Sequence, residues 1–480
     1  MIIDRIETWA RSHPSRTALV HNGRALSYRG FADAIWATHR QLMSSDLPSD
    51  GVAAILAGDL LNAWLLTMAA RAAGLTTMAV RSLEALEALA GRDLACVLVA
   101  ESERRLSEDG ARSPNAQLVW IPVEAFGAPA ALPPLLRTRP LGDYILYTSG
   151  TTGTYKKLRF EGRLEDGQSA ERGRQWDLTF DTIFHASNFG LWTGMGFRSP
   201  SSVWRAGGAV VTDQRPDSQA NVFHHGVNCI HALPETLKQL VAAHPGRRAP
   251  GDDDVTMRVG GGFTPLHLAE QATAALAKTL IVTFSSTETL GSIMEQRFRS
   301  PDDLQWLTPA PGRRAEVVDD DGAPLPAGVE GRLRVKLTDL DSHAYLDDEA
   351  ATAQAFRDGF FYPGDLAMTR EDGRIRILGR AADVINIAGQ KRAVGPIEET
   401  LRQALEADEV CAFTGVTQSG EEEIVLAVRT LRPPSEADVK RILGGSQIFQ
   451  RVRVEIFADF PRTNTGKTRR IELRQLLFGE

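Results

Sequence analysis

The chain has 480 residues, 43% apolar and 24% charged, with a formal net charge of -7. That length favours two or three domains in one compact molecule, and the composition excludes disordered, collagen-like and disulfide-rich classes. The acidic balance supplies no global basic field for a nucleic-acid backbone, so nucleic acid is not an expected partner.

Met1 to Ala10 carries Asp4 and Glu7 and lacks the basic start and apolar core of a signal peptide. The apolar helix candidate Leu60 to Ala70, bounded by Asp59 and Arg71, falls short of the ~20 residues a bilayer span needs. No membrane anchor is expected. Cys96, Cys229 and Cys411 stand far apart with no CxxC pair, which fits a reducing cytoplasm.

In the first third, short β-like runs alternate with helical patterns: Val52 to Ala57, the helix from Leu60, Thr76 to Val80, and Cys96 to Ala100. That is the rhythm of parallel α/β layers. It continues through the strand candidates Ala209 to Thr212, Cys229 to His231, Val255 to Val259 and Leu280 to Phe284. From about Ala315 the pattern turns hairpin-like, Asp321-Gly322 separating Glu316 to Val318 from Gly331 to Leu337, which predicts a β subdomain. The segment Gly379 to Asp383 follows the strand Arg374 to Leu378, and a new βαβ-like order starts at Val384. The expected architecture is a large N-terminal α/β domain with a β subdomain over residues 1–380. A small independent α+β domain is expected over 381–480.

The strongest local signal is Tyr147-Thr148-Ser149-Gly150-Thr151-Thr152-Gly153-Thr154-Tyr155-Lys156-Lys157, just after the apolar run Tyr144 to Leu146. Small residues let backbone N–H groups approach an anion, hydroxyls add donors and lysines add charge, which describes a triphosphate cradle. Composition alone fits a flexible Ser/Thr/Gly surface loop as well. No GxxxxGK[ST] spacing can be drawn through it, which excludes a Walker loop.

This segment resembles the phosphate loop YTSGTTGxPKG of the adenylate-forming superfamily of acyl-CoA synthetases, luciferases and nonribosomal-peptide adenylation domains. Tyr155 replaces the family's proline and Lys157 its final glycine, while Lys156 keeps the lysine position. Further blocks follow in the family's order. Gly260-Gly261-Gly262 resembles the glycine turn beside the adenine and the acyl pocket. Phe284-Ser285-Ser286-Thr287-Glu288 resembles YGxTE, implying that Thr287 bonds the α-phosphate and Glu288 holds Mg²⁺. Read alone, that segment is also a respectable helix cap.

Tyr362-Pro363-Gly364-Asp365 is similar to the TGD block, whose aspartate accepts hydrogen bonds from both ribose hydroxyls, and Gly379-Arg380 to the ribose-contacting arginine. Pro461 to Lys467 resembles PRTxxGK, implying that Lys467 bridges the carboxylate and the α-phosphate; without that context it is one more solvated surface charge. Ile387 to Arg392 resembles the loop that lines the thiol tunnel, with Gly389 and Lys391, and fits a tight basic hairpin equally. The resemblance covers roughly residues 10 to 475.

What it implies is activation of a carboxylic acid with ATP and Mg²⁺, then transfer of the acyl group to CoA or to the phosphopantetheine of a carrier protein. Rotation of the C-terminal domain separates the two half-reactions in the family. The pivot position holds Ala382 in place of aspartate or lysine, so Asp383 is a candidate to take part.

Phe184 to Trp192 resembles the pocket block that reads FDxS in amino-acid-activating domains, with His185 where the aspartate for the substrate ammonium stands. An α-amino acid is therefore disfavoured, because a buried ammonium without a carboxylate is costly. A shifted alignment places Asn188-Phe189 where aryl-acid relatives carry Asn and an aromatic, which points to an aromatic carboxylate. Three readings follow: an acyl- or aryl-CoA ligase, a stand-alone adenylation enzyme that charges a carrier protein, and a nucleotide-binding protein that has lost turnover. The third is motivated by Tyr155, Lys157 and Ala382 and opposed by the retained Glu288, Asp365 and Lys467.

Overall fold

The computed structural model describes residues 1–47, 51–89, 94–107, 116–126, 140–149, 155–187, 189–245, 255–381, 384–387, 390–416, 422–443, 451–462 and 468–478. They fall into two compact units, one comprising 1–260, 264–293 and 337–359, the other 261–263, 294–336 and 360–480.

The first unit contains two sheets. One runs in the order Gln117–Ile121, Leu94–Ala100, Val52–Leu56, Thr76–Val80, Tyr144–Ser149, Tyr155–Phe160. All its neighbours are parallel except the closing pair, an antiparallel hairpin. Val52–Leu56 and Leu94–Ala100 are nearly continuous apolar runs because both faces of a parallel sheet are covered. The helix Leu60–Ala72 is buried on nearly all sides, and its Asp59 cap accepts from the Asn62 N–H at 3.0 Å.

The other sheet of this unit runs Thr279–Ser285, Thr256–Gly260, Cys229–Ala232, Ile183–His185, Ala209–Thr212, Thr17–His21, with parallel pairings. Arg24–Ser27 adds an antiparallel edge. The register pairs His185 with Ile230 and Val211, and His231 with Arg258. Side chains alternate between faces along a strand, so His231 and Arg258 share one face and His185 points to the other.

In the second unit, Glu330–Lys336 pairs antiparallel with Ala315–Val318 and Asp365–Thr369, and Asp365–Thr369 pairs with Ile375–Arg380. This is the expected β region. Beyond the hairpin Val384–Ile387 and Gln390–Ala393, the strands Glu409–Val416, Glu422–Arg429 and Val452–Ile456 form a three-stranded sheet. Val394, Leu401, Ile424, Leu426, Val439 and Val452 are buried together against it, so this α+β region has a core of its own. The α/β-plus-β architecture expected from the sequence is the one the structure has. Among the described residues no helix is long and apolar enough to cross a membrane.

Candidate functional site

In the first unit, the hairpin Tyr144–Ser149 and Tyr155–Phe160 frames the phosphate-loop candidate, with Thr148 opposite Lys156 and Ser149 opposite Tyr155. Gly150, Thr151, Thr152 and Gly153 lie outside the described residues, as does the Ser149 side chain. The approach to the hairpin is fixed by close backbone packing: a Cβ on Gly142 would stand 1.8 Å from the Leu75 carbonyl oxygen. The buried Arg71 donates to the Gly142 carbonyl at 2.9 Å and pairs with the buried Glu165.

Lys157, where the family has glycine, anchors a distant segment. Its carbonyl accepts from the Leu346 N–H at 2.8 Å, and its Nζ pairs with Asp347 at 3.0 Å. That anchor brings the Tyr345 ring centroid to 4.8 Å from the Lys156 Nζ. The Tyr345 hydroxyl donates to Glu288 Oε1 at 2.7 Å, and the Ser286 hydroxyl donates to the other carboxylate oxygen. Arg198 donates to the Thr287 carbonyl at 3.4 Å, and the Ser342 N–H donates to the Glu288 carbonyl at 2.9 Å. Lys156, Tyr345, Glu288 and the Thr287 backbone therefore form one arrangement.

Each Glu288 carboxylate oxygen keeps a lone pair, so the group still suits a hard cation. Among the described residues no cluster of three or more His, Cys, Asp and Glu side chains is placed to hold a metal ion, so Mg²⁺ at Glu288 would need phosphate oxygens to complete its shell. Phe284 and Ser285 end the strand Thr279–Ser285 just before this turn.

Gly260 ends Thr256–Gly260, where a Cβ would stand 2.4 Å from Thr283 Oγ1. Gly261 follows at φ +81°, a left-handed conformation that favours glycine, with Gly262 after it.

The acyl candidates look into different surroundings. His185 lines a cleft with Val211, Asp213 and His225, and burial pushes its imidazole down to about 4. Phe189 meets the His231 ring edge to face at 6.0 Å. Ser187 stands between them, its Oγ 3.3 Å from His185 Nδ1 while donating to the His231 carbonyl at 2.7 Å. Asn188 lies outside the described residues. Trp176 stacks on His231 at 5.5 Å and an interplanar angle of 7°. The guanidinium carbons of Arg258 and Arg172 lie 5.2 and 5.4 Å from the Trp176 ring.

In the second unit, Asp365 and Arg380 are cross-strand partners 3.4 Å apart, and Gly364 makes the preceding turn at φ +83°. Arg380 also donates to the Pro363 carbonyl at 2.5 Å. Lys467 lies in 463–467, outside the described residues, but its flanks are placed. Arg462 and Thr468 form an isolated antiparallel bridge. The Glu409 carboxylate accepts from Arg462 Nη1 at 3.1 Å and from the Thr468 hydroxyl at 3.4 Å. Gly389 is outside the described residues, and Lys391 is placed only by its backbone, opposite Asn386.

Tyr345, Arg198, Glu409 and Arg258 are site candidates that sequence reasoning did not single out. Arg258 had a visible signal, a charge inside the apolar run Val255 to Val259.

The model of the AMP-binding enzyme family matches residues 6–338. Pseudomonine synthase PmsE of Pseudomonas entomophila is 27% identical over 289 residues, covering 58% of this chain and 47% of that protein. The mitochondrial acyl-coenzyme A synthetase ACSM3 of Pongo abelii is 26% identical over 362 residues, covering 69% and 60%. The chain thus spans less than two thirds of the length of these curated relatives. The crystal structure of ATP-bound MatB from Rhodopseudomonas palustris superposes with a TM-score of 0.83 at 20% identity over 99% of both chains, a likeness of fold. The family match spans more than half of the sequence, and the chain belongs to the AMP-binding enzyme family.

Proposed function

We propose that this chain is an AMP-forming acid–thiol ligase. A carboxylate oxygen attacks the α-phosphorus of ATP and pyrophosphate leaves with the broken P–O bond. A thiol sulfur then attacks the acyl carbon, AMP departs and the thiol proton goes to solvent. The preferred acceptor is CoA, and the second reading is a carrier-protein phosphopantetheine. Residues 381–480 are proposed as the mobile domain that carries Lys467, in keeping with the separate core around Leu401 and Leu426.

The observation that carries this reading is the Lys156, Tyr345 and Glu288 arrangement beside the phosphate-loop hairpin. Lys156 offers a cation to phosphate oxygens, Thr287 a hydroxyl to the α-phosphate, and Tyr345 fixes the Glu288 carboxylate. Mg²⁺ held by Glu288 and phosphate oxygens would offset charge on the leaving pyrophosphate. Asp365 offers the paired acceptors a ribose diol needs. In the acyl pocket Asn188 is proposed to meet the acid beside Phe189, and Gly389 and Lys391 to line the thiol tunnel.

Replacing Tyr345→Phe keeps the ring beside Lys156 and removes the donor to Glu288. Exchange activity is expected to fall about 10- to 100-fold, as when a ligand loses its orienting partner, with a higher Mg²⁺ concentration at half-saturation. An unchanged Mg²⁺ titration would assign Tyr345 to packing alone.

The deciding experiment is ATP–pyrophosphate exchange over aromatic, aliphatic and proteinogenic amino acids. Acids without an α-ammonium are expected to exceed amino acids at least ~100-fold, since a buried ammonium without a carboxylate costs several kcal/mol. Arg258 and Arg172 beside the Trp176 wall strengthen that expectation. Exchange confined to amino acids would refute it.

A further inference from the structure

We infer that the acid accepted by this chain carries a second anionic group, seated on the Arg258 guanidinium beside His231 and Gln175; this rests on the acid-activating reading above.

Arg258 stands in the middle of Thr256–Gly260 and is 3% exposed. Its Nη2 donates to the Gln175 carbonyl at 3.3 Å, whereas Nε and Nη1 are buried without a partner. Both Gln175 side-chain polar atoms, Trp176 Nε1 and His231 Nδ1 are orphaned in the same way. Buried orphan groups number only a few per 100 residues in native proteins, and here Arg258 lies over Trp176, Trp176 stacks on His231, and the Gln175 carbonyl meets Arg258, so this chain of orphans calls for an occupant. The Trp176 face offers Arg258 a cation–π contact, which offsets only part of the cost of burying a charge.

The sign of the site identifies the occupant's chemistry. Arg258 and Arg172 flank Trp176, and burial followed by those two guanidiniums pushes His231 down to about 3, leaving it neutral at pH 7. Among the described residues no carboxylate bonds Arg258 Nε or Nη1. Nε–H and Nη1–H point away from each other, so a forked acceptor takes one of them together with the second N–H of Nη2, and a carboxylate or a sulfonate has the paired oxygens for that fork.

This is not the place of the reacting carboxylate. Arg258 lies two residues before Gly260 on the same face, about 7 Å deeper along the strand. The stacked Trp176 and His231 rings and the edge-on Phe189 form flat walls there. The substrate class that fits is an aromatic acid with a second acidic group several ångströms from the first.

The test pairs benzoate with phthalate, isophthalate and terephthalate, and butyrate with glutarate and adipate, by calorimetric binding and by pyrophosphate exchange. At least one diacid is expected to bind about 100-fold more tightly than its monoacid, and Arg258→Met to abolish that preference while retaining monoacid binding. Arg258→Lys should restore part of it. Arg258→Met should also melt at the same or a higher temperature, because it removes a buried unpaired charge; a purely structural arginine would lower it. Equal affinity within every pair, or a preference that survives Arg258→Met, overturns the inference. Loss of exchange with every acid refutes the ligase reading instead, and the binding comparison still decides the anion site.

Discussion

Substituting Lys467→Ala is expected to slow acyl-adenylate formation at least ~100-fold while leaving thioester formation from a supplied acyl-adenylate within a few-fold. In the proposed reaction the cation sits where a carboxylate oxygen meets the α-phosphate, and losing one well-placed charge-assisted contact costs ~3 kcal/mol or more in that transition state. In the thiol step the α-phosphorus is not attacked, so the same charge stabilises little. The structure adds a second handle, because Glu409 ties Arg462 and Thr468 on either side of 463–467. Glu409→Gln should therefore reduce adenylation in the same direction by a smaller factor, acting through the position of the lysine rather than through its charge. Two half-reactions measured on one folded variant check this, and equal loss in both would refute the two-step assignment of Lys467.

The layers of the fold were legible because parallel strands covered on both faces read as apolar runs, as in Val52–Leu56, Leu94–Ala100 and Cys229–Ala232. The candidate site residues could be named from the sequence because the phosphate and ribose contacts proposed for them fall in short contiguous blocks. Tyr345 was not, since it meets Glu288 across 57 residues through an anchor at Lys157 that looked like a mere departure from the family. Glu409 is hidden for the same reason, lying 53 residues before Arg462. The faces that His185 and Arg258 occupy are set by strand register, which a motif alignment does not contain. Side-chain direction follows strand parity and register, and here the register puts Arg258 with His231 on one face and His185 with Val211 on the other.

Replacing Glu165→Ala is expected to destabilise the chain by about 3–5 kcal/mol, the cost of leaving a buried ion without its partner. Arg71 is completely buried, and its Nη1 pairs with Glu165 Oε1 at 2.5 Å. The other carboxylate oxygen accepts from the Ile2 N–H at 2.9 Å, so one side chain joins the first helix, Ile2–Ser12, to the helix Leu60–Ala72. Arg71 then carries the constraint onward, through its Nε to the Gly142 carbonyl and through its own carbonyl, which accepts from the Gly142 N–H at 2.9 Å. Gly142 precedes Tyr144–Ser149 by two residues, so the approach to the hairpin it forms with Tyr155–Phe160 hangs on this pair. Stability should accordingly fall more than activity at low temperature, where the folded variant still positions Lys156. The double substitution Arg71→Met with Glu165→Leu should recover much of the loss, since apolar replacement of a buried pair is often neutral or stabilising. Urea unfolding of Arg71→Met, Glu165→Leu and the variant that combines them gives the coupling energy directly. A Glu165→Ala loss below ~1 kcal/mol would mean that water reaches the pair and that the hairpin is held by packing around Gly142 alone.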